Sequence, residues 1–173
     1  SRPTTIRYIR EARQWLSRRR IEVLGKPGSG YYIKGNEEDI RDAIVDSIRN
    51  FLEFEFPMVA LKFAQGSLKH TLLGVFENTN LDAINKFMER VQTDVKKRFV
   101  DEDLLNLAIS VAVSIRRIEK HHRMDLGTRK VPEILRNPMS LSIRDSIHNL
   151  EEESQVMFTE EEICYLALKF IGA

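Results

Sequence analysis

Leu104-Leu105-Asn106-Leu107-Ala108-Ile109-Ser110-Val111-Ala112-Val113-Ser114-Ile115-Arg116-Arg117-Ile118 is the stretch on which the fold turns. It is apolar nearly all the way round at helical period. A helix with no polar face has to be enclosed by other elements. No apolar run in the chain approaches the roughly 18 residues that a membrane helix needs. The stretch therefore predicts the central, most buried helix of a mainly α protein that does not cross a membrane.

Toward the carboxyl end, residues 121–138 are less regular and contain Gly127, Pro132 and Pro138. A helix is expected over about 139–152, carrying Leu141, Ile143, Ile147 and Leu150. Thr159-Glu160-Glu161-Glu162 reads as a capping box, with Thr159 the cap and Glu162 at its third position. The closing helix follows, with Ile163, Leu166, Phe170 and Leu168 turned inward. Cys164 lies among Ile163 and Tyr165 and reads as a packing residue. As the single cysteine it excludes an internal disulfide and fits a reducing cytoplasm. The amino-terminal residues have no apolar core segment of the kind a signal peptide requires.

Toward the amino end, Asn80 opens a helix with Leu81, Ile84, Phe87, Met88, Val91 and Val95 on one side. Two further helical segments are expected, one from Pro57 with Met58, Leu61 and Phe63, one through Leu68, Leu72, Leu73 and Phe76. Asn36 caps a helix whose first turn holds Glu37, Glu38 and Asp39, acids that suit the helix dipole. Its stripe is Ile40, Ala43, Ile44, Ile48, Phe51 and Leu52. Before it, residues 21–24 and 31–34 are two short β-prone runs separated by Gly25-Lys26-Pro27-Gly28-Ser29-Gly30, which predicts a hairpin. That loop superficially resembles a phosphate-binding loop, but it lacks the closing Gly-Lys-Ser/Thr and a strand follows it. Residues 3–19 read as a helix with Ile6, Ile9, Ala12 or Arg13, and Leu16 on one face and Trp15 beside them. Arg7, Arg10 and Arg13 form a second stripe at the same spacing.

Charge is divided along the chain. Residues 1–34 hold nine Lys or Arg against two acids, a net +7, while the rest holds 18 bases and 24 acids, a net −6; the formal total is +1. A segment of one sign says more about partners than about fold, and a basic helix followed by a basic hairpin points to a polyanion. The histidines carry no comparable signal. His121 and His122 are adjacent, about 100° apart on a helix, and cannot easily share a metal. His70 and His148 are isolated. No spaced His, Cys or Asp cluster suggests a metal, no cofactor loop is present, and no nucleophile is set up for catalysis, so an enzyme is not expected.

Four segments carry a resemblance. Residues 1–12, from Ser1-Arg2-Pro3-Thr4-Thr5-Ile6 to Glu11-Ala12, resemble the recognition helix of regulators that join a helix-turn-helix to a PTS regulation domain, the PRD. Gly28-Ser29-Gly30-Tyr31-Tyr32-Ile33-Lys34-Gly35-Asn36-Glu37 is similar to the wing that closes such a DNA-binding unit. Residues 107–118 resemble the central PRD helix, and residues 158–173 resemble the closing one. The resemblance implies residues 1–35 as the end of a winged helix-turn-helix and residues 36–173 as a helical bundle of about five main helices that dimerises. It implies a cytoplasmic, DNA-binding transcriptional regulator acting on duplex DNA as a homodimer. It also implies control through histidine phosphorylation by a PTS phosphocarrier or a sugar-permease component. At the two aligned phosphorylation positions this chain has Ser110 and Lys169, neither of which offers an imidazole nitrogen. The PRD is therefore expected to dimerise and relay rather than to sense.

Arg2, Thr4 and Thr5 are the expected contacts to base edges, Arg7 and Arg10 to phosphates, and Lys26 to the backbone from the wing tip. An RNA-binding antiterminator of the same broad family, or a dimerisation module alone, are the competing expectations; the helix at 3–19 stands in place of the all-β RNA-binding domain usual in the former. The absent initiator Met suggests a fragment of a longer protein.

Overall fold

The computed structural model describes residues 2–26, 28–55, 79–127 and 131–173. Among them are seven helices and one two-stranded sheet: α1 (Arg2–Ser17), β1 (Glu22–Lys26), β2 (Gly30–Lys34), α2 (Glu37–Glu55), α3 (Leu81–Val95), α4 (Asp101–Glu119), α5 (Val131–Leu135), α6 (Pro138–Ser154) and α7 (Glu160–Gly172). The segments expected around Pro57 and Leu72 lie outside the described residues.

The bundle is built around α4. Eleven of its residues are buried, from Leu105 to Ile118, and Ile109, Val111 and Ala112 are sealed completely. Each buried Ile, Val or Leu side chain contributes about 1.5–3 kcal/mol relative to exposure. The helix starts three residues ahead of the apolar run because Asp101, Glu102 and Asp103 fill its first turn, where acids meet the positive end of the dipole. α2 lies along α4, α3 packs along α6, and α7 closes the bundle against α4, α5 and α6. Phe170 of α7 sits edge-on to Phe87 and Phe99, at 6.1 and 5.7 Å between ring centroids.

The caps at Asn80 and Thr159 form where the sequence places them. Asn80 accepts from the Ala83 amide at 3.0 Å, and Thr159 accepts from the Glu162 amide at 3.3 Å. Asn137 caps α6 directly ahead of Pro138, a residue suited to a first turn. The short helix α5 falls inside the stretch read as irregular. Cys164 is buried, with its Sγ 3.8 Å from the Val131 carbonyl of α5. Leu168, expected inward, is exposed.

Ahead of this bundle, α1 turns back through Arg20, whose φ is +60°, into β1. Ile21 is buried with Ile40 and Ala43 of α2, and Trp15, Leu16 and Ile44 pack on this small second core. The hairpin is antiparallel, Glu22 opposite Lys34 and Gly25 opposite Tyr31, and its pairing continues to Lys26 and Gly30, so the turn is tighter than its composition suggests.

Gly25 is a requirement of that pairing. Its φ is +112°, and a Cβ there would lie 2.2 Å from the Gly30 carbonyl oxygen. Gly25→Ala is expected to cost the hairpin more than about 1 kcal/mol. Amide exchange should then lose protection over residues 22–34 while α4 keeps its own.

Candidate nucleic-acid interface and the cleft behind it

The described core contacts of α1 lie toward its trailing end. Trp15 and Leu16 reach the core, Ile9 is half-buried, and Ile6 remains 45% exposed although it shares their stripe. The face read as continuous is therefore interrupted: Ile6, Ala12 and Arg13 are exposed, and packing is confined to Ile9, Trp15 and Leu16, all partly buried. Three arginines do structural work. Arg13 donates to the Gly25 carbonyl at 3.3 Å and lies over the Tyr31 ring, tying α1 to the hairpin. Arg19 stacks over Trp15 at 3.8 Å and donates to Asp46 at 3.0 Å. Arg20 donates to Asp39.

Arg10 and Arg7 sit about one and two turns ahead of Arg13 on the same side of α1, and both side chains face solvent. Arg7 lies 3.8 Å from Glu11, an exposed i, i+4 pair worth at most about 0.5 kcal/mol, which leaves its guanidinium free to change partners. Lys26 follows Gly25 at the end of β1 and is exposed. Thr5 is exposed and Thr4 half-buried in the first turn; the side chain of Arg2 lies outside the described residues. Chemically, this surface offers planar, permanently charged forks and an ammonium, the groups that fit phosphate oxygens.

Behind it, between α2, α4 and α7, lies a cleft of about 280 Å³ lined by Asp42, Asp46, Arg49, Asp103, Ser110 and Lys169 among others. Ser110 and Lys169, taken from two separate alignments, thus meet in one place. The Ser110 hydroxyl donates to the Asn106 carbonyl at 2.8 Å, a local bond back along α4. Lys169 Nζ donates to Asp42 Oδ2 at 2.7 Å, and the Tyr165 hydroxyl donates to Asp42 Oδ1 at 2.9 Å. Burial, reinforced by the charge of Asp42, pushes the Tyr165 phenol far above its ordinary value, so it stays a donor at every physiological pH.

Sequence reasoning missed the most deeply buried charges. Arg41 and Glu162 are both 0% exposed, paired through two nitrogens and two oxygens. Glu162 also accepts from the Met124 amide at 2.9 Å, and Arg41 donates to the His122 carbonyl at 3.1 Å and to Glu37 at 2.9 Å. Glu37 in turn holds Arg117 of α4 through both oxygens at 2.8 and 2.7 Å. The carboxylate read as half of a capping box is therefore turned into the core. Burial alone would raise the Glu37 carboxyl, but its bonds to Arg117 and Arg41 outweigh this and carry it below the ordinary glutamate value. A carboxyl lowered in the folded state stabilises above its unfolded pKa, and that stabilisation is lost as pH falls through the lowered one. Arg41 thus joins α2 to α7 and to the 122–124 loop, a link between distant positions that helical spacing does not reveal.

The histidines lie apart from all of this. His121 and His122 are exposed at the end of α4, and His148 is exposed beside Glu152 at 3.2 Å. His70 is outside the described residues. No described helix is long and apolar enough to cross a membrane.

Over 162 residues the chain is 22% identical to the transcriptional regulator ManR of Bacillus subtilis (strain 168), covering 92% of this chain and 23% of that protein. The chain thus spans about a quarter of the length of the curated relative it matches. The PRD domain model matches residues 85–173, from within α3 through α7, which is half of the sequence and includes both Ser110 and Lys169. The chain belongs to the PRD family.

Proposed function

We propose that the chain is the part of a cytoplasmic transcriptional regulator in which the end of a winged helix-turn-helix, residues 1–35, meets a PRD, residues 36–173. In this reading α1 lies against the major groove of duplex DNA with the hairpin as its wing. Arg2, Thr4 and Thr5 meet base edges, Arg7 and Arg10 bind phosphates, and Lys26 reaches the backbone. The observation that carries it is the division of labour among the arginines of α1 and the turn that follows it. Arg13, Arg19 and Arg20 are engaged with the hairpin and α2, whereas Arg7 and Arg10 on the leading half face solvent. A helix whose trailing cations anchor it and whose leading cations are exposed is presented to a partner of opposite charge.

The PRD in this reading pairs two copies and relays a signal to α1. Position 110 is a serine and position 169 a lysine, so histidine phosphorylation by a PTS phosphocarrier or sugar-permease component does not act at these two places. Fluorescence anisotropy with duplex DNA, an RNA hairpin and scrambled controls tests the assignment. Arg7→Ala should weaken binding to all duplexes and reduce the slope of log affinity against log salt by about one. Unchanged affinity and slope would remove Arg7 from the interface, and preference for the RNA hairpin would replace the DNA reading.

A further inference from the structure

Asp39, Asp42 and Asp46 recur at i, i+3 and i+7 on α2 and so form one stripe. Its occupants alternate. Asp39 is held by Arg20, from the turn after α1. Asp42 is held by Tyr165 and Lys169 of α7 at 2.9 and 2.7 Å. Asp46 is held by Arg19 at 3.0 Å, with Arg49 of its own helix at 3.6 Å. One row of carboxylates therefore carries the tail of α1 and the closing helix of the bundle side by side.

We infer that this stripe couples α7 to α1, with Asp42 and Asp46 as its positioning residues. Asp42 and Asp46 are like charges at i, i+4, a spacing that is unfavourable unless cations offset it. Lys169 supplies that offset at Asp42, and Arg19 with Arg49 supplies it at Asp46. When Lys169 leaves Asp42, the stripe becomes more negative and holds Arg19 and Arg20 more tightly. When Asp46 loses its charge, the tail of α1 loses its anchor. Whatever draws Lys169 away from Asp42 in the shared cleft is consequently felt at the end of the helix that carries Arg7 and Arg10. The consequence for DNA rests on the function proposed above; the coupling does not.

Amide hydrogen exchange on the 173-residue chain without DNA tests the coupling directly. The reporters are the turn amides of Arg19, Arg20 and Ile21, which donate to Leu16, Ser17 and Leu16. Lys169→Gln, at a partly exposed position, should slow their exchange about threefold, and Asp46→Asn should speed it by a similar factor, in the range of couplings carried through packed networks. α4 amides should be unchanged in both. If Lys169→Gln leaves the reporters as they were, or shifts α4 equally, the coupling is refuted. Failure of wild-type chain to bind duplex DNA would instead remove the proposed function and leave the exchange result standing.

Discussion

Arg41→Ala should destabilise the fold by about 3–5 kcal/mol, the usual result of removing one partner from a buried ion pair. The substitution strands Glu162, which is 0% exposed and keeps one neutral donor, the Met124 amide. It also frees the His122 carbonyl and leaves Glu37 with Arg117 alone. Glu162 then has two routes, to take up a proton or to open α7 toward water, and both cost free energy at neutral pH. Urea unfolding followed by circular dichroism measures the loss as a lowered midpoint. The companion double substitution R41M/E162M separates charge from packing. It removes both buried charges while keeping most of the volume, and should recover most of the loss, because a buried pair replaced by apolar side chains is often neutral or better. A double variant as unstable as Arg41→Ala would mean that packing around the guanidinium, rather than the stranded carboxylate, sets the cost.

Phe170→Ala is expected to cost a further class of about 3–5 kcal/mol by a different route. The ring is fully buried and meets Phe87 of α3 and Phe99 of the following segment edge to face, at interplanar angles of 79° and 83°. Its removal loses the transfer free energy of a phenyl group, leaves a cavity among α3, α4 and α7, and breaks two aromatic pairs that each add about 0.5–1.5 kcal/mol beyond their area. Phe170→Leu keeps most of the volume and should lose less than half as much. Thermal unfolding of the three proteins gives the order; equal losses for Ala and Leu would assign the effect to the aromatic geometry instead of the cavity.

The helices were legible where local rules suffice. α4 declares itself because its apolar residues leave no polar face, α3 and α7 because Asn80 and Thr159 mark their starts, and α6 because Ile143, Ile147 and Leu150 recur at helical spacing. The hairpin was legible from glycines that the backbone requires at positive φ. What stayed hidden is non-local. Arg41 and Glu162 are 121 positions apart, and no periodicity links them. Glu162 satisfied a local pattern so well that its real partner went unseen. α5 is five residues long, too short for a period to register. Ile6 was assigned inward by spacing alone, and spacing cannot tell that the first half of α1 runs beyond the surface it packs on. The meeting of Ser110 and Lys169 in one cleft follows from how α4 and α7 are stacked, which the sequence shows only through resemblance to a family.

Cys164 has a use that its packing role does not suggest. Burial, together with the charges of Glu160 and Glu161, holds its thiol above the ordinary cysteine value, and the sulfur is shut between α7 and the Val131 carbonyl. A thiol reagent therefore has nothing to react with until α5 lifts or α7 loosens. Since the chain has one cysteine, each labelled molecule records one such excursion, and the labelling rate acts as a built-in stopwatch for the closing helix without any probe being engineered in.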